Sequence, residues 1–169
     1  KHISTYSLIL ERGTILNKMV LDKKVKMQDD DYDADLYETT IAFLISKGFY
    51  QYEVSNFTKP GFECVHNNAY WRYRDYLSFG TSAHSFVDGK RWWNYSSLKK
   101  YISEIELNNH AIMNSEIISK DLMHEEYVML ALRSSGLDLD DYRKRFSDDW
   151  IKKNYAYFKL LENEHHLSI

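Results

Sequence analysis

Residues 52–71 (YEVSNFTKPGFECVHNNAYW) contain the chain's single proline and single cysteine and end in a His-Asn-x-x-Tyr-Trp cluster. His66 is the residue there best suited to chemistry. A neutral imidazole binds iron or zinc through one ring nitrogen while a hydrogen-bond partner holds the other. Asn67 is a candidate for that partner, and Tyr70 and Trp71 offer flat faces to a planar ligand. Each has a plainer role as well. A lone loop histidine more often bonds backbone, and adjacent aromatics on a short helix more often anchor it to a sheet.

A second group follows at Gly80, Thr81, Ser82, Ala83 and His84. Small residues after a strand let a ligand approach main-chain amides closely. The segment has neither the Walker spacing nor the dinucleotide fingerprint, and a tight strand-to-loop turn explains it equally well. His84 is a second candidate ligand or acid-base group. Glu53 and Asn56, three apart on a strand, should point to opposite faces unless the strand bends between them. Trp92 and Trp93 should alternate likewise, placing one in the core. Cys64 beside His66 does not make a protease dyad, and no Ser-His-Asp set can be assembled.

The elements that must carry these residues fit within 169 residues, 44% of them hydrophobic, enough for one ordinary domain or two small ones with a real core. Basic and acidic side chains number 22 and 25, for a net charge of -3, which disfavours a phosphate-backbone partner. One cysteine forms no internal disulfide and no multi-thiolate centre, and a reducing cytoplasm is the expected compartment. No apolar run reaches the roughly 18 residues of a membrane helix, and no signal-peptide layout opens the chain. The immediate strand at a non-methionine start reads as a piece of something larger.

His2–Leu10 reads as a buried strand closed by a turn at Gly13. Asp29 to Asp31 should cap a helix reaching about Lys47, with Leu36, Ile41, Leu44 and Ile45 inward and Gly48 as its stop. Phe49–Phe57 reads as a second strand, making a strand-helix-strand unit with adjacent parallel strands. A short helical region around Asn68–Arg74 comes next. Short strands are then expected at Tyr76–Phe79 and Ser85–Val87, with Asp88-Gly89 turning into an antiparallel return through Arg91–Asn94. From Ser96 the period is helical, in segments over about 96–107, 120–134, 138–146 and 148–164. In the second of these Leu122, Tyr127, Leu130 and Ala131 should face inward. Residues 165–169 read as an incipient strand.

The segments HISTYSLILERGT, YEVSNFTKPG, HNNAYW, DYLSFGTSAHS and HEEYVMLALRSSGLDL resemble, in order and at similar separations, the C-terminal half of the coproporphyrinogen III oxidase-like radical-SAM proteins. The His-Asn-x-x-Tyr-Trp element is similar to that of their HemW-like haem chaperones, as distinct from the HemN-type oxidases. The resemblance implies an α/β fold: residues 1–114 as the last strands and helices of an incomplete (β/α) radical-SAM barrel, and 115–169 as a helical, winged-helix-like C-terminal domain. It implies haem as ligand, with His66 on the iron, Asn67, Tyr70 and Trp71 around it, and Gly80, Ser82, Ala83 and His84 near cofactor or substrate. In that last loop Ser78 and Thr81-Ser82 replace the glycine and Pro-Gly common in the family. The resemblance also implies a 4Fe-4S cluster and S-adenosylmethionine in the intact protein, held by a Cys-x3-Cys-x2-Cys motif outside this chain. The expected partners are haem or porphyrin and haem-accepting proteins, without nucleic acid or a membrane span. Exposed sheet edges could also pair between chains. Oxidative decarboxylation of coproporphyrinogen III is the rival activity, and a cofactor-free interaction platform the third reading.

Overall fold

In the computed structural model, residues 1–147 and 149–168 are described. They form two compact units, one of residues 1–76 with 133–135, the other of 77–132 with the remainder from 136.

The first unit contains β1 (His2–Ser4), α1 (Ile15–Leu21), α2 (Asp30–Ser46), β2 (Tyr50–Glu53), β3 (Asn56–Thr58) and α3 (Val65–Trp71). Its sheet has the order β1-β3-β2 and is antiparallel throughout, with Ile3 opposite Phe57 and Gln51 opposite Phe57 on the other side. The expected adjacent parallel pair is therefore not formed, because β3 lies between β1 and β2. Phe49–Phe57 is not one strand: the chain reverses at Val54-Ser55, a turn with no glycine or proline to announce it. Side chains hold that turn instead. The Ser55 N–H donates to Glu53 Oε2 at 3.1 Å, and Tyr37 Oη of α2 donates to the Val54 carbonyl at 2.8 Å.

The strand expected over His2–Leu10 ends at Ser4, and Tyr6, Leu8 and Ile9 are exposed. β propensity becomes a strand only where a partner accepts the ladder, and β3, three residues long, runs out at Asn56. α2 begins as read. The Asp29 carboxylate accepts the Tyr32 N–H at 3.0 Å, and three further aspartates favour the positive end of the helix dipole. Of its expected inward stripe only Leu44 is buried; Leu36 and Ile45 are exposed. Phe57 is fully buried at the centre of the sheet, a burial that stabilises by about 1.5–3 kcal/mol.

The second unit opens with β4 (His84–Val87) and β5 (Lys90–Asn94), continues through α4 (Leu98–Asn108) and β6 (Ile112–Ile117), and ends in α5 (Lys120–Leu132), α6 (Leu139–Arg145), α7 (Asp149–Lys153) and α8 (Tyr155–Asn163). Strands β4, β5 and β6 form an antiparallel sheet in that order. Asp88 and Gly89 both have positive φ, 49° and 73°, as the two-residue turn between twisted strands requires. The change of period near residue 115 falls inside β6, and the compact units divide between Tyr76 and Leu77. Tyr76–Phe79 forms no strand, and neither Trp92 nor Trp93 is fully buried. Tyr127, Leu130 and Ala131 are buried as expected, while Leu122 stays partly exposed. The last long helix is broken at Asn154, whose amide donates to the Trp150 carbonyl at 2.8 Å. Its expected start at Asp148 lies outside the described residues, as does Ile169; His165–Ser168 form no strand.

Candidate functional site

Lys59-Pro60-Gly61-Phe62 is a turn closed by the Phe62 N–H donating to the Lys59 carbonyl at 3.1 Å, with proline setting one φ and Gly61 taking φ +80°. The chain then enters α3. On a helix, residues four apart share a face, so the His-Asn-x-x-Tyr-Trp spacing pairs His66 with Tyr70 and Asn67 with Trp71. All four line one open cavity of about 580 Å³ in the first unit. The β2–β3 hairpin, from Glu53 to Asn56, forms its other wall, and Tyr6 and Arg133 complete it.

The His66 ring makes an edge contact with Tyr76 at 6.1 Å between centroids, and no hydrogen bond among the described residues. His66 is exposed, so the ring is accessible. Asn67 does not orient that ring. Its Nδ2 donates to Tyr52 Oη at 3.4 Å, and Tyr52 Oη is 2.8 Å from His2 Nε2, so this chain of bonds ties α3 to the sheet. Burial, the largest influence, pushes the Tyr52 phenol above its ordinary value. Tyr70 stands edge-on to Trp71 at 5.8 Å and tilted to Tyr76 at 5.5 Å. At 44% exposure Tyr70 is not sunk against the sheet, and Trp71 is half-buried. Both rings keep part of their surface exposed.

Glu53 and Asn56 do converge, both buried, on the same cavity. They are cross-strand partners flanking the two-residue turn. Asn56 Nδ2 donates to Glu53 Oε1, and Ser4 Oγ donates to Asn56 Oδ1. The three-residue spacing was the available signal, and it depended on recognising the reversal. Nothing in the sequence marks Tyr6 or Arg133 as neighbours of His66.

Gly80, Ser82, Ala83 and His84 lie in the second unit and do not line this cavity. Several of their polar groups are engaged there. The Gly80 N–H donates to Tyr101 Oη at 3.2 Å, the Ser82 N–H to the Tyr95 carbonyl at 3.2 Å, and the Ala83 carbonyl accepts from the Asn94 N–H at 3.0 Å. His84 Nδ1 is 3.0 Å from the Ser82 carbonyl, and its ring stacks on Trp93, its cross-strand partner, at 5.7 Å.

Among the described residues no group of three or more His, Cys, Asp or Glu side chains is placed to hold a metal ion. No helix among them is long and apolar enough to cross a membrane. A solitary accessible imidazole suits a metal whose other positions are filled by something else.

No protein-family profile matches the chain. Its fold is matched in a solved structure: 96% of the chain superposes on 41% of an Escherichia coli protein described as coproporphyrinogen III oxidase (HemN), a radical SAM enzyme, with TM-score 0.66 and 17% identity. The strands seen here close no barrel of their own. In sequence the chain is 36% identical over 139 residues to the heme chaperone HemW of Mycobacterium tuberculosis, covering 82% of this chain and 36% of that protein. It is 33% identical over 152 residues to HemW of Lactococcus lactis, covering 89% and 40%. The chain is therefore a homologue of the HemW-like proteins, spanning about two-fifths of the length of these relatives.

Proposed function

We propose that this chain supplies the haem-binding surface of a HemW-like protein that takes up haem and passes it to haem-dependent proteins. One observation carries the reading: an imidazole with no hydrogen bond among the described residues shares a cavity with two accessible aromatic rings. A porphyrin fills the equatorial positions of its iron itself, so one histidine suffices as axial ligand. His66 is that ligand, and Tyr70 and Trp71 shape the surface the macrocycle meets. Exposure of the site favours reversible ligation, which transfer to an acceptor requires. The relatives named heme chaperones support the same reading.

The radical chemistry implied by the family has no seat in these residues. Cys64 is the chain's single cysteine, so a cluster held by three thiolates does not fit here, and no step through it or S-adenosylmethionine is derived. The resemblance to an oxidase is one of fold, at 17% identity.

Titration of the intact protein with haem should give a shifted Soret band. In His66→Ala that shift should be lost and affinity should fall by roughly tenfold or more, the scale seen when metal-site support is removed. An identical spectrum in the variant would sink the assignment of His66.

A further inference from the structure

The haem cavity contains one cation. Arg133 is fastened beside the hairpin by its own carbonyl, which accepts the Val54 N–H at 3.3 Å, and it lines the same cavity as His66, Tyr70 and Trp71. Among the described residues no acidic side chain pairs with it. Three other arginines are occupied: Arg91 meets Glu116 and Glu126, Arg143 meets Asp140, and Arg145 meets Asp141. The acidic residue among those lining the cavity is Glu53, and its two oxygens already accept from Ser55 N and Asn56 Nδ2. Arg133 is thus a cation at the cavity wall with no acidic partner among the described residues.

We propose that Arg133 is the carboxylate anchor of the site, receiving a propionate of the porphyrin while the ring lies against Tyr70 and Trp71 and the iron meets His66. This rests on the haem-binding reading and adds to it the end of the ligand that carries charge. A guanidinium presents parallel N–H donors matching the two oxygens of a carboxylate. The imidazole and the guanidinium then recognise different parts of one molecule, which fixes its orientation in the cavity. Because Arg133 is exposed, its contribution is screened by salt.

The test uses the intact protein and three probes: haem, iron-free protoporphyrin, and protoporphyrin dimethyl ester, whose carboxylates are masked. Wild-type protein should prefer the free acid to the ester, and Arg133→Gln should lose that preference with roughly tenfold weaker binding of the acid. Arg133→Lys should recover part of it. In Arg133→Gln the haem Soret maximum should stay at the wild-type position, since iron ligation is untouched, and the salt dependence of protoporphyrin binding should flatten. Equal affinity of wild type and Arg133→Gln for the free acid, or an acid-over-ester preference that survives in the variant, would overturn the anchor. Failure of the haem reading is separate: it shows as a His66→Ala spectrum unchanged with haem, whatever Arg133 does with the iron-free ring.

Discussion

Two donors hold the Glu53 carboxylate, the Ser55 N–H and the Asn56 amide, inside a hairpin turn where Glu53 is 3% exposed. Removing the acceptor strands both. Glu53→Ala should cost about 1–3 kcal/mol, the usual consequence of leaving a buried polar group unsatisfied. Glu53→Gln should cost less, because its amide oxygen can still serve the Ser55 N–H while the Asn56 amide flips and the Ser4 hydroxyl turns to accept. Urea unfolding midpoints of the two variants measure this, and equal midpoints would show that the turn does not depend on the carboxylate. At this scale the lining of the cavity is half legible in the sequence. His66, Tyr70 and Trp71 announce themselves by type and by a spacing that any helix converts into a shared face. Asn67 belongs to the same motif, yet its amide goes to Tyr52, a partner on another element that spacing cannot reveal. Arg133 is remote in sequence from the rest of the cavity, and only folding brings it there.

Helix α2 ends by local chemistry strong enough to read from sequence. Gly48 takes φ +77°, its N–H donates to the Ile45 carbonyl at 2.9 Å, and the Phe49 N–H donates to the Leu44 carbonyl at 3.1 Å. This is a Schellman closure, whose left-handed residue is cheapest as glycine. A Cβ at Gly48 would meet nothing within 4 Å, so substitution costs backbone strain and no clash. Gly48→Ala should therefore destabilise by about 1–2 kcal/mol, and Gly48→Asn by less, since asparagine visits this region more readily. Thermal melts of the two variants decide it; an alanine variant as stable as wild type would exclude strain at this terminus. Elements with such signals, α2 and the Asp88-Gly89 hairpin, have close to the boundaries their sequence predicts. Those without depart from their sequence pattern. The Val54-Ser55 reversal is stabilised by side chains from Glu53 and Tyr37, and β6 lies along β5 with all six of its residues exposed, so no alternation of apolar residues marks it. Residues 5–10 show the converse, strand composition without a partner strand.

Across the whole chain, stability is vested in two units with separate cores, and the helical part of the second is built around Tyr142, which is fully buried against His124, Phe146 and Trp150. The division could not be read from the change of period, because β6 and the helices after it belong to one unit. Beside Tyr142, Tyr127 Oη donates to Asp141 Oδ2 at 2.8 Å, and Arg145 Nε donates to the same oxygen at 2.9 Å. Burial, and next the hydrogen bond to the Asp141 carboxylate, push the Tyr127 phenol from 10.0 up to about 12. Burial also works to raise Asp141, but the Tyr127 hydroxyl and Arg145 outweigh it and hold that carboxyl below its usual range. The two groups act at opposite ends of the pH scale. An unfolded Tyr127 loses its proton near 10.0 and a folded one keeps it to about 12, so its contribution is complete below pH 10.0 and drains away between the two values. The Asp141 contribution is complete above the ordinary carboxylate pKa and is lost as pH falls through the lowered one. Tyr127→Phe removes the phenol while keeping the ring. It should lower stability at neutral pH by about 1 kcal/mol, the net worth of a hydrogen bond, and the gap to wild type should shrink as pH rises from 10.0 to about 12. Chemical denaturation at successive pH values gives both curves, and a gap that stays constant across that alkaline window would show that Tyr127 titrates alike in the folded and unfolded chain.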